Sequence, residues 1–142
     1  MLIYQKWITR DDLRANPSIL YVFGDNAWRY GLGGQAKEMR GEPNAIGVAT
    51  LEAPGLFWSD ADAERQNAIV DGDMEFVETA LRVGGIVVWP LDGIGTGFAD
   101  LERRSPLTWA HLQRKVVALK IYACIYPTPL YGRQITPTEN TQ

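Results

Sequence analysis

Two short apolar runs constrain the fold of this chain more than any other feature. They are "ILYVFG" at residues 19–24 and "GIVVWP" at residues 85–90, and neither alternates apolar with polar residues. Such strands are typical of the middle of a parallel sheet, where both faces are covered. Three further runs predict strands: "LIYQKWI" at 2–8, "AIGVATL" at 45–51 and "IYACIY" at 121–126. The last run predicts that Cys124 is a buried small hydrophobic residue.

Helical patterns separate these strands, at residues 10–17, 33–41, 59–83 and 105–120. The third pattern begins with a capping-box spacing from Ser59 to Asp62, and Gly72 is expected to break or bend it. One stripe of this helix carries Met74, Val77 and Leu81.

The fourth helical pattern offers Ser105 as N-cap and Pro106 as the first helical residue. Its apolar positions recur at spacings of three and four residues: Trp109, Leu112, Val116 and Leu119. Strands that alternate with helices predict an α/β fold, with a sheet covered by helices on both faces.

The length of 142 residues suits one domain, which we expect over residues 1–130, followed by a polar tail over 131–142. The apolar runs are far shorter than the ~20 residues that span a bilayer, and the first residues do not form a signal peptide. We therefore expect a cytoplasmic protein without a membrane partner. The net charge of −3 argues against direct binding of duplex DNA, and a single cysteine excludes an internal disulfide.

Two glycine-rich segments follow the two central strands. They are "GDNAWRYGLGGQA" at 24–36 and "LDGIGTGFADLERRSP" at 91–106. In α/β folds ligands bind beyond the carboxyl ends of the strands, where loops lead into helices. Glycines there let backbone N–H groups approach an anion, and Thr96 adds a hydroxyl. The spacing is neither a dinucleotide-binding fingerprint nor a Walker motif, and tight turns without a ligand are the alternative.

The first glycine segment also carries polar and aromatic candidates. Asp25 can accept hydrogen bonds from an amino group such as that of adenine. Arg29 pairs either with a phosphate or with a carboxylate, Asp25 or Glu38. Trp28 and Tyr30 either stack on a base or pack against the protein.

Together, "LYVFGDN…GLGGQA" and "VVWPLDGIGTGFADL…W" resemble the macrodomain superfamily over roughly residues 19–126. They are similar to the branch with "GD" after a strand, "GxGxA" opening a helix and "IGTGLxxLxW" after a later strand. A still closer resemblance is to phage and bacterial proteins with "GDN…GGQA…RG.PNAIG" runs, whose activity is not assigned. The macrodomain resemblance implies a three-layer α/β/α fold with a mixed, mostly parallel central sheet. It also implies recognition of ADP-ribose or an ADP-ribosylated macromolecule.

The resemblance implies a role for each part of the two segments. Asp25 would meet the adenine amino group, and Gly33, Gly34 and Gln35 would border the distal ribose. Gly95 to Phe98 would wrap the diphosphate. The full candidate ligand-binding set is Gly24, Asp25, Asn26, Arg29, Gly31, Gly33, Gly34, Gln35, Gly93, Ile94, Gly95, Thr96, Gly97 and Phe98.

Some members of the superfamily only bind ADP-ribose, whereas others hydrolyse it from proteins or nucleobases. This chain departs from the hydrolytic patterns, because Thr50 or Leu51 stands where a lysine is used and the loop aspartate is shifted to Asp100. Asp100 and Asn26 are the candidate catalytic residues, with Asp100 as general base and Asn26 or Gln35 orienting a water. Alternatively, Asp100 caps a helix or pairs with Arg103 or Arg104.

Other chemistry finds little support in the sequence. His111 is the only histidine and has no zinc-binding neighbours, and no GxSxG serine elbow occurs. Asp60, Asp62, Asp71 and Asp73 are expected to cap helices or to be solvated rather than to bind magnesium. "LFWSD" at 56–60 forms either a lid or a packed connection. We expect no metal and no cofactor.

Three hypotheses follow from these observations. The first is an ADP-ribosyl hydrolase that acts on modified nucleic acid or protein. The second is a binding module that reads or sequesters ADP-ribose-type signals, for instance in phage–host conflict. The third is a structural or interaction domain whose glycine loops only turn the chain.

Overall fold

Four parallel strands form the centre of the computed structural model, which describes residues 1–129. They are β1 (Leu2–Gln5), β2 (Leu20–Asn26), β3 (Ala45–Leu51) and β4 (Val87–Pro90). Their order across the sheet is β1-β4-β2-β3. The tail predicted at 131–142 lies outside the described residues.

Five helices accompany the strands within residues 1–129. They are α1 (Arg10–Ala15), α2 (Ala36–Met39), α3 (Ala63–Arg82), α4 (Leu101–Arg104) and α5 (Pro106–Ile125). A 3₁₀ turn at Asp60–Asp62 precedes α3. None of these helices is both long enough and apolar enough to cross a membrane.

The sheet buries both of its faces, as the two central apolar runs predict. Along β2, Tyr21 and Phe23 join the core that includes residues of α1 and α2. Val22, between them, joins the core that includes residues of α3 and α5. Since successive strand residues point to opposite faces, one strand supplies both cores. The predicted α/β fold with helices on both faces is confirmed.

The expectation of a mixed sheet is wrong, because every strand pairing among the described residues is parallel. The physical reason is the connectivity of the chain. Each strand is followed by a helix before the next strand begins. Such a crossover returns the chain to the same edge of the sheet and makes the next strand parallel to the last.

The strand predicted at 121–126 is also wrong, because α5 continues through Ile125. Cys124 is exposed on this helix rather than buried in a strand. A short apolar run does not distinguish a strand from the end of an apolar helix. Here the helix is continued from Leu112 and Leu119, both of which are fully buried.

The predicted helix stripes are confirmed, but a break of α3 at Gly72 and the capping box at its start are wrong. Met74, Val77 and Leu81 are fully buried. Gly72 does not interrupt the helix, which runs from Ala63 to Arg82. The capping box at its start is not formed, since the Ser59 hydroxyl accepts from the N–H of Ala61 and begins the 3₁₀ turn.

The start of α5 is held by a buried hydrogen-bond network. Pro106 is the first helical residue and Ser105 the N-cap, as predicted. The side chain of Ser105 does not cap the helix, however. Gln66 of α3 donates to the hydroxyls of Ser105 and Thr108, each at 2.9 Å. These bonds satisfy a buried amide and fix α5 against α3.

We expect Leu119→Ala to lower the free energy of unfolding by about 2–5 kcal/mol, because it leaves a cavity in the core that α5 shares with α3 and the sheet. Val117→Ala on the same helix is the control, since Val117 is 55% exposed. It should change stability by no more than about 0.5 kcal/mol. Urea unfolding followed by circular dichroism measures both values. Equal effects would contradict the described packing of α5.

Candidate functional site

A cleft of about 850 Å³ lies at the carboxyl edge of the sheet, where β2 and β4 are neighbours. Both glycine-rich loops line it. The loops meet at Gly24, where an added Cβ would lie 3.5 Å from Ile94 Cβ. Every predicted ligand-binding residue except Arg29 lies in the cleft lining. The structure therefore brings the two segments together at one site.

The second glycine loop presents a run of unpaired backbone amides. The N–H of Gly93 donates to the carbonyl of Pro90, which closes the turn after β4. From Ile94 to Phe98, the five N–H groups have no acceptor within residues 1–129. Unpaired amides in succession form a concave surface that suits an anion.

The three alternate glycines of this loop have different roles. Gly93 and Gly95 have φ of 81° and 76°, which disfavours other residues. Gly95 is also crowded, because an added Cβ would lie 3.2 Å from Leu101 Cβ and from Thr50 Cγ2. Gly97 has no positive φ, and no heavy atom lies within 4 Å of an added Cβ. Two glycines thus turn the chain, and the third leaves open space.

Asp25 and Arg40 form an ion pair beneath the first glycine loop, and both residues line the cleft. The Arg40 guanidinium donates to both carboxylate oxygens of Asp25, at 2.5 and 3.2 Å, and to the carbonyl of Gly31 at 2.8 Å. Gly47 on β3 makes room for this pair, since an added Cβ would lie 2.3 Å from Asp25 Oδ2. Sequence reasoning missed Arg40 as a cleft residue, because nothing in the pattern marks its distant partner.

Gln35 holds the segment that follows β1. Its side chain accepts from the N–H of Ile8 and donates to the carbonyl of Ile8, both at 2.8 Å. This pairing occupies the amide that was predicted to border a ribose. It also brings Lys6 and Trp7 into the cleft lining. Sequence reasoning missed both, although the carboxyl end of a neighbouring strand is the signal that would have found them.

Arg29 and Asn26, two further predicted site residues, are also engaged by the protein itself. Arg29 pairs with Asp73 at 2.6 Å and lies only 3.9 Å from Asp25. The Asn26 side chain lines the cleft but donates to the carbonyl of Tyr30 at 2.8 Å.

Asp100 lies outside the cleft lining. It accepts from Arg103 Nε at 2.5 Å and precedes α4 with a φ of 45°. This pairing is the structural alternative that the sequence left open for Asp100.

Aromatic side chains border the cleft. Trp28 stacks on Tyr30, with centroids 6.3 Å apart, and Tyr30 lines the cleft. Phe98 is 88% exposed and meets Phe57 edge to face. Trp58, next to Phe57, is buried in the core. Within the segment "LFWSD", Trp58 packs against the core and Phe57 contacts Phe98.

Two carboxylates outside the cleft lining brace neighbouring parts of the chain through hydrogen bonds. The N–H of Thr9 and then the side chain of Gln5 donate to Asp12 and hold the pKa of that carboxyl below its usual value. Hydrogen bonds from Arg65 and Trp58 likewise lower the pKa of Glu52. A carboxyl with a lowered pKa stabilises the fold above its unfolded pKa, and this contribution is lost as the pH falls through the folded pKa. Both braces thus weaken in acid.

The aspartates of "DAD" and "DGD" take structural roles. Their partners are the N–H of Leu107 for Asp60, Arg65 for Asp62, His111 for Asp71 and Arg29 for Asp73. Within residues 1–129, His, Cys, Asp and Glu side chains form no group of three or more that could hold a metal ion.

Comparison with known families places the chain. Residues 3–115 match DUF7831, which is described as a family of unknown function. The chain belongs to DUF7831. The matched region of this family contains every residue of the cleft lining, from Lys6 to Ala99. No curated protein and no solved structure matches the chain.

We expect Gly95→Ala to lower the free energy of unfolding by about 1–3 kcal/mol, because φ is positive and the new methyl group meets Leu101 and Thr50. Gly97→Ala, two residues away, is the matched control and should change stability by less than about 0.5 kcal/mol. Guanidinium unfolding at neutral pH measures both. If Gly97→Ala lowered the stability as much as Gly95→Ala, the open space around Gly97 would be contradicted.

Proposed function

We propose that the cleft binds ADP-ribose or a related nucleotide that carries a diphosphate. The observation that supports this most is the run of five amides from Ile94 to Phe98, none of which has an acceptor among residues 1–129. A diphosphate supplies several acceptor oxygens for such a run, and glycines keep Cβ atoms out of the way. The site is built from backbone, so it suits an anion without a cluster of basic side chains.

The first glycine loop contributes further backbone N–H groups to the cleft, opposite the second glycine loop. Within residues 1–129, the N–H groups from Gly31 to Gln35 also have no acceptor. The following helices, α2 and α4, have four residues each, so their dipoles contribute little. Direct hydrogen bonds from the loops carry the proposed interaction with the diphosphate.

The dimensions of the cleft agree with a nucleotide. Ligand sites usually have volumes of roughly 300–1,000 Å³ and combine apolar walls with a few polar groups. Here Tyr30, Leu32 and Phe98 supply apolar surface among the residues that line the cleft. The resemblance to macrodomains adds the identity of the ligand, since their loops of this type wrap the diphosphate of ADP-ribose.

The geometry favours binding over hydrolysis. Asp100, the proposed general base, is paired with Arg103 outside the cleft lining. The Asn26 amide is engaged by Tyr30, and the Gln35 amide by Ile8. Both amides are thus held by the protein's own backbone. The second hypothesis, a module that reads or sequesters the nucleotide, is therefore our preferred function.

Calorimetric titration with ADP-ribose, AMP and NAD tests the proposal. We expect ADP-ribose to bind most tightly, and Gly97→Glu to weaken it at least roughly tenfold, because the new carboxylate repels the diphosphate. The control is Gly72→Glu, which adds the same charge at an open, exposed position on α3. Indifference to all three nucleotides would overturn the proposal and favour an interaction domain.

Turnover separates the binding module from the hydrolase. We expect no free ADP-ribose to be released from ADP-ribosylated protein or nucleic acid, and Asp100→Ala to bind ADP-ribose as the natural chain does. Chromatographic detection of released ADP-ribose measures the first, and calorimetry the second. Release that Asp100→Ala abolishes would establish the hydrolytic alternative.

A further inference from the structure

The segment after β1 is a rigid part of the cleft rim that the two glycine loops do not include. Gln5 donates through its side chain to the carbonyl of Trp7 at 3.0 Å. Gln35 binds both backbone groups of Ile8, whose side chain is fully buried. The backbone is thus fixed around Lys6 and Trp7, while both side chains are exposed.

This segment touches both glycine loops. On one side, the N–H of Leu91, which begins the second loop, donates to the carbonyl of Gln5 at 3.0 Å. On the other side, Gln35 belongs to the first loop. A ligand held by both loops therefore lies within reach of the rim that Lys6 and Trp7 form.

Lys6 differs from the other cation of the cleft. The charged residues that line the cleft are Lys6, Arg40, Asp25 and Asp92. Arg40 is neutralised by Asp25. Lys6 forms no ion pair with any residue in the described part of the chain. Lys6 is thus an ammonium without an ion pair that shares the cleft with a row of amides that have no acceptor among residues 1–129, and this combination suits a ligand with more than one negative charge.

Trp7 offers a large planar surface at the same place. Its side chain is 54% exposed, although its backbone is fixed and its neighbour Ile8 is fully buried. An exposed indole on a rigid backbone loses little entropy when a flat ring stacks on it. Stacking of bases on aromatic side chains contributes substantially to nucleotide binding.

We propose that Lys6 and Trp7 form a third ligand-binding segment, in which Lys6 contacts the diphosphate and Trp7 stacks on the base. This inference rests on the proposed function and deepens it. The two residues together call for a ligand with a charged part and a planar aromatic part. A nucleoside diphosphate has both. A sugar phosphate would contact only Lys6, and a free nucleoside would stack only on Trp7.

Calorimetry on the full chain with ADP-ribose, inorganic pyrophosphate and adenosine separates the two contacts. Lys6→Gln should weaken ADP-ribose and pyrophosphate roughly tenfold and leave adenosine unchanged, and Lys6→Arg should retain most of the affinity. Trp7→Ala should weaken ADP-ribose and adenosine by a similar factor and leave pyrophosphate unchanged. Both side chains are exposed, so the melting temperatures should stay near that of the natural chain.

Two variants outside the cleft are the controls. Lys37→Gln removes an exposed lysine from α2, and Phe76→Ala removes a 64% exposed aromatic ring from α3. Neither should alter any affinity. If the natural chain binds ADP-ribose but Lys6→Gln and Trp7→Ala behave like these controls, this inference is overturned and the proposed function stands. If the natural chain binds neither ADP-ribose nor pyrophosphate, both are overturned.

Discussion

The parallel pairing of β4 with both β1 and β2 is the constraint on which the cleft depends. Parallel strands end at the same edge of a sheet, so the loops that follow them meet there. β4 lies between β1 and β2, and its glycine loop therefore has the Lys6–Trp7 segment on one side and the first glycine loop on the other. One antiparallel strand at this point would remove its loop from the cleft.

The hydrogen-bond donors of the cleft are mainly backbone N–H groups of the two glycine loops rather than charged side chains. The cleft lining contains two cations and two anions, and one pair of these is already joined as Asp25 and Arg40. Amides without an intramolecular acceptor cost little while they face water, and they become strong donors when an anion displaces that water. The proposed binding of an anion is therefore compatible with a net charge of −3.

Gln35 and Arg40 show that the sequence can place a residue near the cleft without predicting which group its side chain binds. Gln35 lies at the predicted position, yet its amide binds the backbone of Ile8. Arg40 follows a four-residue helix and reaches back to Asp25, fifteen residues earlier. The strand at 121–126 was wrong for a related reason, since an apolar run has no period that separates a strand from a helix end.

The sequence by itself determined the α/β class, the strand at residues 45–51, the buried stripe of α3 and the two loops that form most of the cleft. These follow from local rules: uninterrupted apolar runs, a helical period and glycines after strands. Only the tertiary structure decided the order of the strands across the sheet, the partners of Arg29 and Asp100, and the entry of Lys6 and Trp7 into the cleft. Those depend on which strands become neighbours and which distant side chains meet, and no local pattern encodes such pairings.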